Sequence, residues 1–254
     1  MPRERFVGPG PWQTLRPQHD DGYVETPSDD PRHIYDTVLV ALDNRRGLNN
    51  GEPVSLARWL DLLALEAGDQ FAHLGCGVGY YTAIANEAIQ PGGHSLALEA
   101  SPELATRAHE NLAPYAGLEV RNATDFKAGD GPFDAIFINA GATHIVERWV
   151  DLLSEHGRLL LPLTASIAGG EIGAGRVIRI TRQAAGFEAR FVSFAAIFHC
   201  IGARDDDQEQ ALRDAYREGD AERVRSLRRD PHSRETDCWM HQDNFCLSYR
   251  ELAP

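Results

Sequence analysis

The chain has 254 residues, 43% of them hydrophobic and 25% charged, which is enough for one large domain or for a core domain with appendages. Its 25 basic and 38 acidic residues give a formal net charge of −13, and a field of that sign disfavours binding to nucleic acid. The sequence has neither the run of roughly 20 apolar residues that a membrane span needs nor an apolar signal segment. Its four cysteines fit reduced thiols. A soluble, cytoplasmic protein is therefore expected.

The first 54 residues predict a region that precedes the main domain. Residues 1 to about 30 are rich in Pro, Gly and Asp without periodicity, which indicates an extended or partly disordered arm. An Asp-Pro start signal and apolar residues at helical spacing predict a helix over 30–45. Residues 47–54, "GLNNGEPV", predict a loop.

Residues 55–204 predict the core domain. It opens with an amphipathic helix over 55–65, for which Ser55 is the expected N-cap. Short apolar runs then alternate with helix-like stretches, with strands expected at 69–74, 94–100, 118–123, 133–140 and 157–163 and helices at 79–89, 102–114 and 144–154. Two further runs, 175–183 and 188–203, have no helix between them and predict an antiparallel pair. We therefore expect an α/β fold with a doubly wound, mostly parallel seven-stranded sheet, of the Rossmann-like kind.

Residues 205–254 predict a C-terminal extension made of a charged helix over 205–229 and an aromatic tail. The basic run in the helix suits a solvated face, or a surface that guides an acidic peptide; it comprises Arg223, Arg225, Arg228 and Arg229. In the tail, Cys238, His241 and Cys246 have a loosely metal-like spacing. Buried thiols explain three such residues as well, so no metal site is expected.

The stretch "FAHLGCGVGYYTA" (71–83) places glycines at alternate positions just after the first strand of the core. Ligands of open α/β sheets bind at this end of the strands. A dinucleotide site needs Gly-x-Gly-x-x-Gly, but Tyr80 stands where the last glycine should be. Glu99 ends the second strand about 20 positions later, where a carboxylate can accept bonds from two ribose hydroxyls. This pattern suits an adenosine with a non-phosphate extension, so S-adenosylmethionine is the expected cofactor.

Several segments resemble the protein-L-isoaspartate O-methyltransferases over residues 47–200: "HLGCGVGYYTAIA", "ALEASPELATRAHENL", "GPFDAIFINAGATHIV" and "HGRLLLPL". The resemblance implies a methyltransferase that uses S-adenosylmethionine to methylate a carboxylate of a peptide or protein. The carboxylate would be that of an Asp or isoAsp residue or of the C-terminus, and the substrate could be one dedicated peptide. The cofactor would be bound by residues of the strand ends and their loops, namely His73, Gly75, Cys76, Gly77, Gly79, Tyr80, Glu99, Ala100, Asn122, Ala123 and Asn139.

The acceptor side departs from the family pattern. The family presents a Ser-x-Pro loop to the acceptor carboxylate, and here the serine position is Gly51. The acceptor contact is therefore expected from Asn49, Asn50 or Ser55, with His144 able to orient an acceptor or to act as a base. The family's usual acidic residue is replaced by His73 and its usual Asp by Asn122.

Three other functions remain open from sequence. They are a methyltransferase acting on a small molecule or tRNA, a protein that binds S-adenosylmethionine without catalysis, and a nicotinamide-dependent oxidoreductase. The acidic composition disfavours tRNA, and Tyr80 disfavours the dinucleotide.

Overall fold

The computed structural model describes residues 1–16, 22–167 and 170–252. Parts of the predicted arm (17–21) and of the predicted tail (253–254) lie outside the described residues. The chain forms two compact units. The first comprises Met1–Gly68 and Cys76–Ala123, and the second comprises Asp69–Gly75 and Thr124–Pro254.

The described residues contain six α-helices and fourteen strands. The helices are α1 Glu4–Val7, α2 Pro53–Leu62, α3 Tyr80–Ala88, α4 Pro102–Leu112, α5 Glu147–Asp151 and α6 Asp206–Glu218. The strands are β1 Gln13–Leu15, β2 Val24–Glu25, β3 Leu39–Asp43, β4 Leu48–Asn49, β5 Gln70–Leu74, β6 His94–Glu99, β7 Leu118–Asn122, β8 Phe133–Ile138, β9 Leu153–Ser166, β10 Ile172–Gln183, β11 Gly186–Phe198, β12 Ser226–Arg228, β13 Cys238–His241 and β14 Cys246–Ser248. Short 3₁₀ helices cover Pro31–Ile34 and Ala221–Arg223.

The first unit opens with an antiparallel sheet in the order β2-β1-β3-β4. The predicted helix over 30–45 is wrong, because only Pro31–Ile34 is helical and β3 follows it. Val38 and Val40 are buried while Leu39 and Ala41 are only half-buried, a two-residue period that is typical of a strand. The predicted extended arm is also wrong in its described part, which holds α1, β1 and β2 and buries Phe6, Val7 and Trp12.

The same unit contains α3, β6, α4 and β7, with β6 and β7 paired in parallel. Helix α4 begins where the Ser101 side chain accepts a hydrogen bond from the Leu104 N–H, with Pro102 in the first turn. Its buried face belongs to a core that joins α1, α3 and α4, made of Phe6, Cys76, Val78, Ala83, Ala97, Leu104, Ala108 and Leu112. This core fixes the loop after Cys76 to the carboxyl end of β6.

The second unit contains eight strands of the main sheet, in the order β13-β14-β12-β11-β10-β9-β8-β5. Strands β5, β8 and β9 pair in parallel, and β9, β10 and β11 pair antiparallel. Each of the seven predicted strands therefore exists as one of β5 to β11, and the predicted antiparallel pair is confirmed as β10 and β11.

The C-terminal extension belongs to the second unit. The charged helix predicted over 205–229 ends at Glu218, and β12 follows within the predicted span. Strands β12, β14 and β13 extend the sheet beyond β11. Trp239 of β13 is buried and packs edge-on against Phe191 of β11 and Tyr216 of α6, with ring centroids 5.0 and 5.3 Å apart. Within the described ranges, none of the helices combines the length and apolar character that a membrane crossing requires.

Candidate active site

In the first unit, the glycine-rich loop reaches α3 through two residues with positive φ. Gly77 has φ +58° and Gly79 has φ +88°, a left-handed conformation that other L-residues adopt at a cost. A Cβ on Gly79 would lie 2.6 Å from Leu112 Cδ1, whereas a Cβ on Gly77 would have only Leu42 within 4 Å, at 3.9 Å. Packing against Leu112 therefore requires a glycine at position 79, while the space beside the Gly77 Cα is open.

Glu99 lies at the carboxyl end of β6 and faces this loop. Its side chain accepts a hydrogen bond from the Gly77 N–H at 2.8 Å and another from the Ser101 N–H at 2.9 Å. The residue is only 8% exposed. Burial raises the pKa of the Glu99 carboxyl, and the hydrogen bonds from Ser101 and Gly77 oppose that rise. The two amides thus hold both carboxylate oxygens in fixed positions at the end of the strand.

The other predicted cofactor residues of this unit surround the end of β6. The Asn122 side-chain amide donates to the backbone oxygens of Glu99 and Ala100, at 2.8 and 3.1 Å. The Ala123 N–H donates to the Glu99 carbonyl at 3.0 Å, and the Cys76 N–H donates to the Leu98 carbonyl at 3.1 Å. These bonds bring five residues predicted to bind cofactor, together with Gly77, to one strand end.

Tyr80 begins α3 and is half-buried. Its ring packs edge-on against Phe6 and Tyr81, with centroids 5.4 and 5.0 Å apart. The side chain is thus fixed against α1 rather than free in solvent.

The loop predicted over 47–54 is shorter in the structure, because Leu48–Asn49 forms β4 and α2 begins at Pro53. The residues between them form a tight turn around Gly51. The Asn49 side-chain oxygen accepts a hydrogen bond from the Gly51 N–H at 2.9 Å, and Gly51 itself has φ +71°. Asn50 is only 7% exposed, and its side-chain nitrogen has no hydrogen-bond partner among the described residues. A buried donor left unpaired costs about 1–3 kcal/mol, so Asn50 favours an acceptor atom beside it.

Ser55 has a different position from the one predicted. Helix α2 begins at Pro53 and its N-cap is Glu52, whose carboxylate accepts bonds from the Val54 and Ser55 N–H groups at 2.8 and 2.9 Å. The expectation of a Ser55 N-cap is therefore wrong. Proline is favoured at the first helical position, so Pro53 begins the helix and the residue before it, Glu52, is the N-cap. The Ser55 hydroxyl donates to Glu52 at 2.7 Å.

Two arginines that the sequence did not single out support this region. Arg3 is 1% exposed, and its guanidinium donates to the carbonyls of Ile34, Val38 and Gly51 at 2.9, 3.1 and 3.0 Å. Arg46 lies in the turn between β3 and β4, 3.5 Å from the Ser101 hydroxyl, and its charge opposes the rise in the pKa of Glu99. Arg46 is next to the loop in the sequence, whereas Arg3 contacts Gly51 across 48 residues and has no local sequence signal.

In the second unit, Gly75 and Asn139 meet where β5 and β8 end. The Asn139 side-chain amide donates to the Gly75 carbonyl at 3.3 Å, and its backbone N–H donates to the Leu74 carbonyl at 2.8 Å. Gly75 has φ +79°, and a Cβ there would lie 3.2 Å from the Asn139 carbonyl oxygen. A glycine is therefore needed for the two strand ends to approach this closely.

His73 lies inside β5 and is fully buried. Its ring stacks on Phe137 of β8 with centroids 4.8 Å apart. Burial lowers its pKa to about 3, so the imidazole is neutral at pH 7. The structure thus places His73 among the aromatic side chains of the sheet.

His144 follows β8 and the bridge residue Ala142. Its Nδ1 is 3.1 Å from the Thr143 hydroxyl, and that hydroxyl also accepts a hydrogen bond from the Asp205 N–H at 3.1 Å. Burial, with a smaller contribution from Arg204, lowers the pKa of His144, while Asp205 opposes this. The residue therefore lies beside the segment that leads into α6.

Comparison with known proteins identifies the family. The family model described as protein-L-isoaspartate(D-aspartate) O-methyltransferase matches residues 34–172, more than half of the chain. The chain belongs to this family. A curated protein-L-isoaspartate O-methyltransferase of Methanopyrus kandleri is 28% identical over 168 residues, which are 64% of this chain and 65% of the relative. The chain thus spans slightly less than two thirds of that relative's length.

Solved structures of the same family share the fold. One, a protein-L-isoaspartate O-methyltransferase, has a TM-score of 0.62 at 16% identity, and the match covers 85% of this chain and 62% of the other. A second, from Plasmodium falciparum, is a putative protein-L-isoaspartate O-methyltransferase in complex with S-adenosyl-L-homocysteine; its TM-score is 0.53 at 20% identity, with 65% and 81% of the two chains covered. The predicted Rossmann-like α/β fold is therefore confirmed.

Proposed function

We propose that the protein is an S-adenosylmethionine-dependent O-methyltransferase that methylates a carboxylate of an aspartyl or isoaspartyl residue in a peptide or protein. The observation that carries the proposal is the Glu99 carboxylate, held by the Gly77 and Ser101 amides at the end of β6. Each of its oxygens accepts one of these bonds and retains capacity for another, which suits the two adjacent hydroxyls of a ribose.

The remainder of the cofactor is an adenine and a methionine attached through a sulfonium. Asn122 and Ala123, fixed to the carbonyl of Glu99, would lie beside the adenine. The open side of Gly77 leaves backbone for the ligand to contact. No phosphate has to be bound, which agrees with Tyr80 at the position where a dinucleotide site needs glycine.

The acceptor would be held by the turn 49–51. A carboxylate is already ionised at neutral pH, so methyl transfer needs alignment of its oxygen with the sulfonium methyl and exclusion of water, not a strong base. The buried, unpaired side-chain nitrogen of Asn50 is a donor suited to such an oxygen. Asn49 has another task, because its side-chain oxygen already holds the turn. We therefore assign the acceptor contact to Asn50 and the shape of the turn to Asn49.

Cofactor binding is tested by calorimetry with S-adenosylhomocysteine. Glu99→Gln removes the charge that strengthens the bonds to the ribose, so we expect a loss of about 1.5–3 kcal/mol, or roughly 10- to 150-fold in Kd. The matched control is Glu103→Gln, an exposed carboxylate in the first turn of α4. Equal affinity in wild type and Glu99→Gln, or tight binding of NAD, would contradict the proposal.

The acceptor is tested with two peptides of one sequence that differ only in an aspartyl or an isoaspartyl linkage. A carboxyl methyl ester should release methanol in mild base, whereas methyl groups on nitrogen or on an ordinary hydroxyl should remain. Asn50→Ala should lower kcat/KM with the affinity for S-adenosylhomocysteine unchanged, and Asn44→Ala, an exposed residue of the preceding turn, should change neither. A base-stable product would refute carboxylate methylation.

General repair and the modification of one dedicated peptide share this chemistry. The departure at Gly51 and the added strands β12 to β14 favour a dedicated substrate. Comparable turnover of many unrelated isoaspartyl peptides would instead favour repair.

A further inference from the structure

Four metal-ligating side chains converge in the C-terminal extension, within the second unit. They are His232, Cys238, His241 and Cys246, and one potential ligand atom from each lies within 4.8 Å of every other. Spacing along the sequence offered only three of them and predicted no metal; the fold adds His232. From this convergence we propose that the extension holds a structural Zn²⁺ ion, bound by two thiolates and two imidazoles.

The distances fit one tetrahedral ion. Zn–S and Zn–N bonds of about 2.3 and 2.0 Å place neighbouring ligand atoms about 3.3–3.8 Å apart. Cys238 Sγ lies 3.6 Å from His232 Nε2 and 3.9 Å from His241 Nδ1. Ligands shared between two irons of a cluster would stand further apart than these four atoms do. A set of two sulfurs and two nitrogens around a single centre is a preferred set for Zn²⁺.

The ring of His232 is already oriented for a metal. Its Nδ1 is 2.7 Å from the Asp230 carbonyl oxygen, and a carbonyl can only accept a hydrogen bond, so Nδ1 must carry the proton. The lone pair is then on Nε2, the nitrogen that faces Cys238. Metal-binding histidines usually have such a partner on their other nitrogen.

A regular strand would not place Cys238 and His241 on the same face, since they are three residues apart. Strand β13 has an irregularity between Cys238 and Met240, which shifts its register against β14. Such a bulge reverses the alternation of side chains beyond it. His241 then stands directly opposite Cys246 on β14, on the side that Cys238 also faces.

The surroundings suit bound thiolates. The Glu235 N–H donates to Cys238 Sγ at 3.3 Å. Cys246 is fully buried, and Cys238 and the His232 side chain are 6% and 8% exposed. Arg228, opposite Cys246 on β12, binds Asp230 at 2.7 Å and Glu235 at 3.2 Å, so it holds the loop that carries His232.

All four positions of this site are filled by protein, and a closed set of this kind is structural and not catalytic. The ion would join the loop at 230–237 to the hairpin of β13 and β14. Trp239, next to Cys238, packs on Phe191 and Tyr216. Zinc would therefore fix the hairpin, and through Trp239 its attachment to β11 and α6.

The test is the metal content of the full-length protein, purified without chelator and measured by mass spectrometry. We expect about one zinc per chain in wild type and in the control Cys200→Ser, which changes a buried cysteine elsewhere in the unit. We expect zinc binding to weaken by more than roughly 100-fold in each of three ligand variants, Cys238→Ser, Cys246→Ser and His232→Gln. Roughly 100-fold is the upper range of the loss when a residue hydrogen-bonded to a metal ligand is removed, and loss of a ligand itself should cost more. Zinc retained in these variants, or absent from wild type, would overturn the proposal.

Cobalt binding to metal-stripped wild type avoids any misfolding of the variants. Co²⁺ in this site should give the strong visible bands of tetrahedral coordination together with thiolate charge-transfer absorption. The weak spectrum of octahedral Co²⁺, or a disulfide between Cys238 and Cys246 in the protein as isolated, would refute a zinc site. Both readouts are independent of methyl transfer, so the zinc proposal can fail while the proposed activity holds, and the reverse.

Discussion

Substituting Gly79 by alanine should destabilise the protein strongly, because the new methyl group meets two obstacles. Gly79 has φ +88°, and a left-handed conformation costs an L-residue about 1–2 kcal/mol. The new Cβ would lie 2.6 and 2.8 Å from Cδ1 and Cγ of Leu112, a side chain only 2% exposed in the core of the first unit. Forcing a methyl group into a filled core adds about 1–3 kcal/mol. We therefore expect a total loss of about 2–5 kcal/mol.

Urea denaturation measures this loss, and two further variants separate its causes. Gly68→Ala has the same backbone problem at φ +93° but no atom within 4 Å of its Cβ, so it should cost only about 1–2 kcal/mol. Combining Gly79→Ala with Leu112→Ala removes the clashing atoms, so the double variant should lose less than the sum of the single losses. The reasoning is refuted if Gly79→Ala costs no more than Gly68→Ala, or if the two losses add.

Two further predictions concern the second unit. Burial lowers the pKa of His73 to about 3, so below pH 6.5 the unfolded chain binds a proton that the folded chain does not. Between pH 7 and pH 5, the free energy of unfolding should therefore fall by about 2 kcal/mol more in wild type than in His73→Phe. Urea denaturation at both pH values measures this difference. Tyr216→Phe should cost about 1–3 kcal/mol in the same assay at pH 7, because the hydroxyl donates to the Leu163 carbonyl and accepts from the Arg176 N–H, at 2.8 and 3.0 Å. An equal pH dependence in wild type and His73→Phe would contradict the first prediction. An unchanged free energy of unfolding in Tyr216→Phe would contradict the second.

The sequence predicted the elements whose pattern is local. The strands β5, β6, β8 and β9 each bury a short apolar run, and the glycine loop with Glu99 is readable because the chain alternates strand and helix between them. The helix prediction for 30–45 failed because Ile34, Val38 and Leu42 have a helical spacing, while Val38, Val40 and Leu42 also have the two-residue spacing of the strand that forms over Leu39–Asp43. Period alone cannot separate these alternatives in a short segment.

The rest depended on contacts that have no local signature. The burial of Arg3 could not be predicted from its neighbours in the sequence, because the carbonyls that pair with its guanidinium are 31 to 48 residues away. The placement of His232 beside Cys238 follows from a loop and a bulge, and neither is encoded by a recognisable spacing. The paired amides on Glu99 likewise arise where two loops meet.

Arg3 acts as a clamp on three separate stretches of backbone. One guanidinium closes chain loops of 31, 35 and 48 residues at once, through Ile34, Val38 and Gly51. Opening any one of these contacts exposes a buried charge, so a partial opening gains little conformational freedom for its cost. The amide protons of β1, β3 and β4 should therefore exchange with solvent as a single cooperative group. The turn at Gly51 would then be as rigid as the sheet beside it, although it is a loop by its geometry.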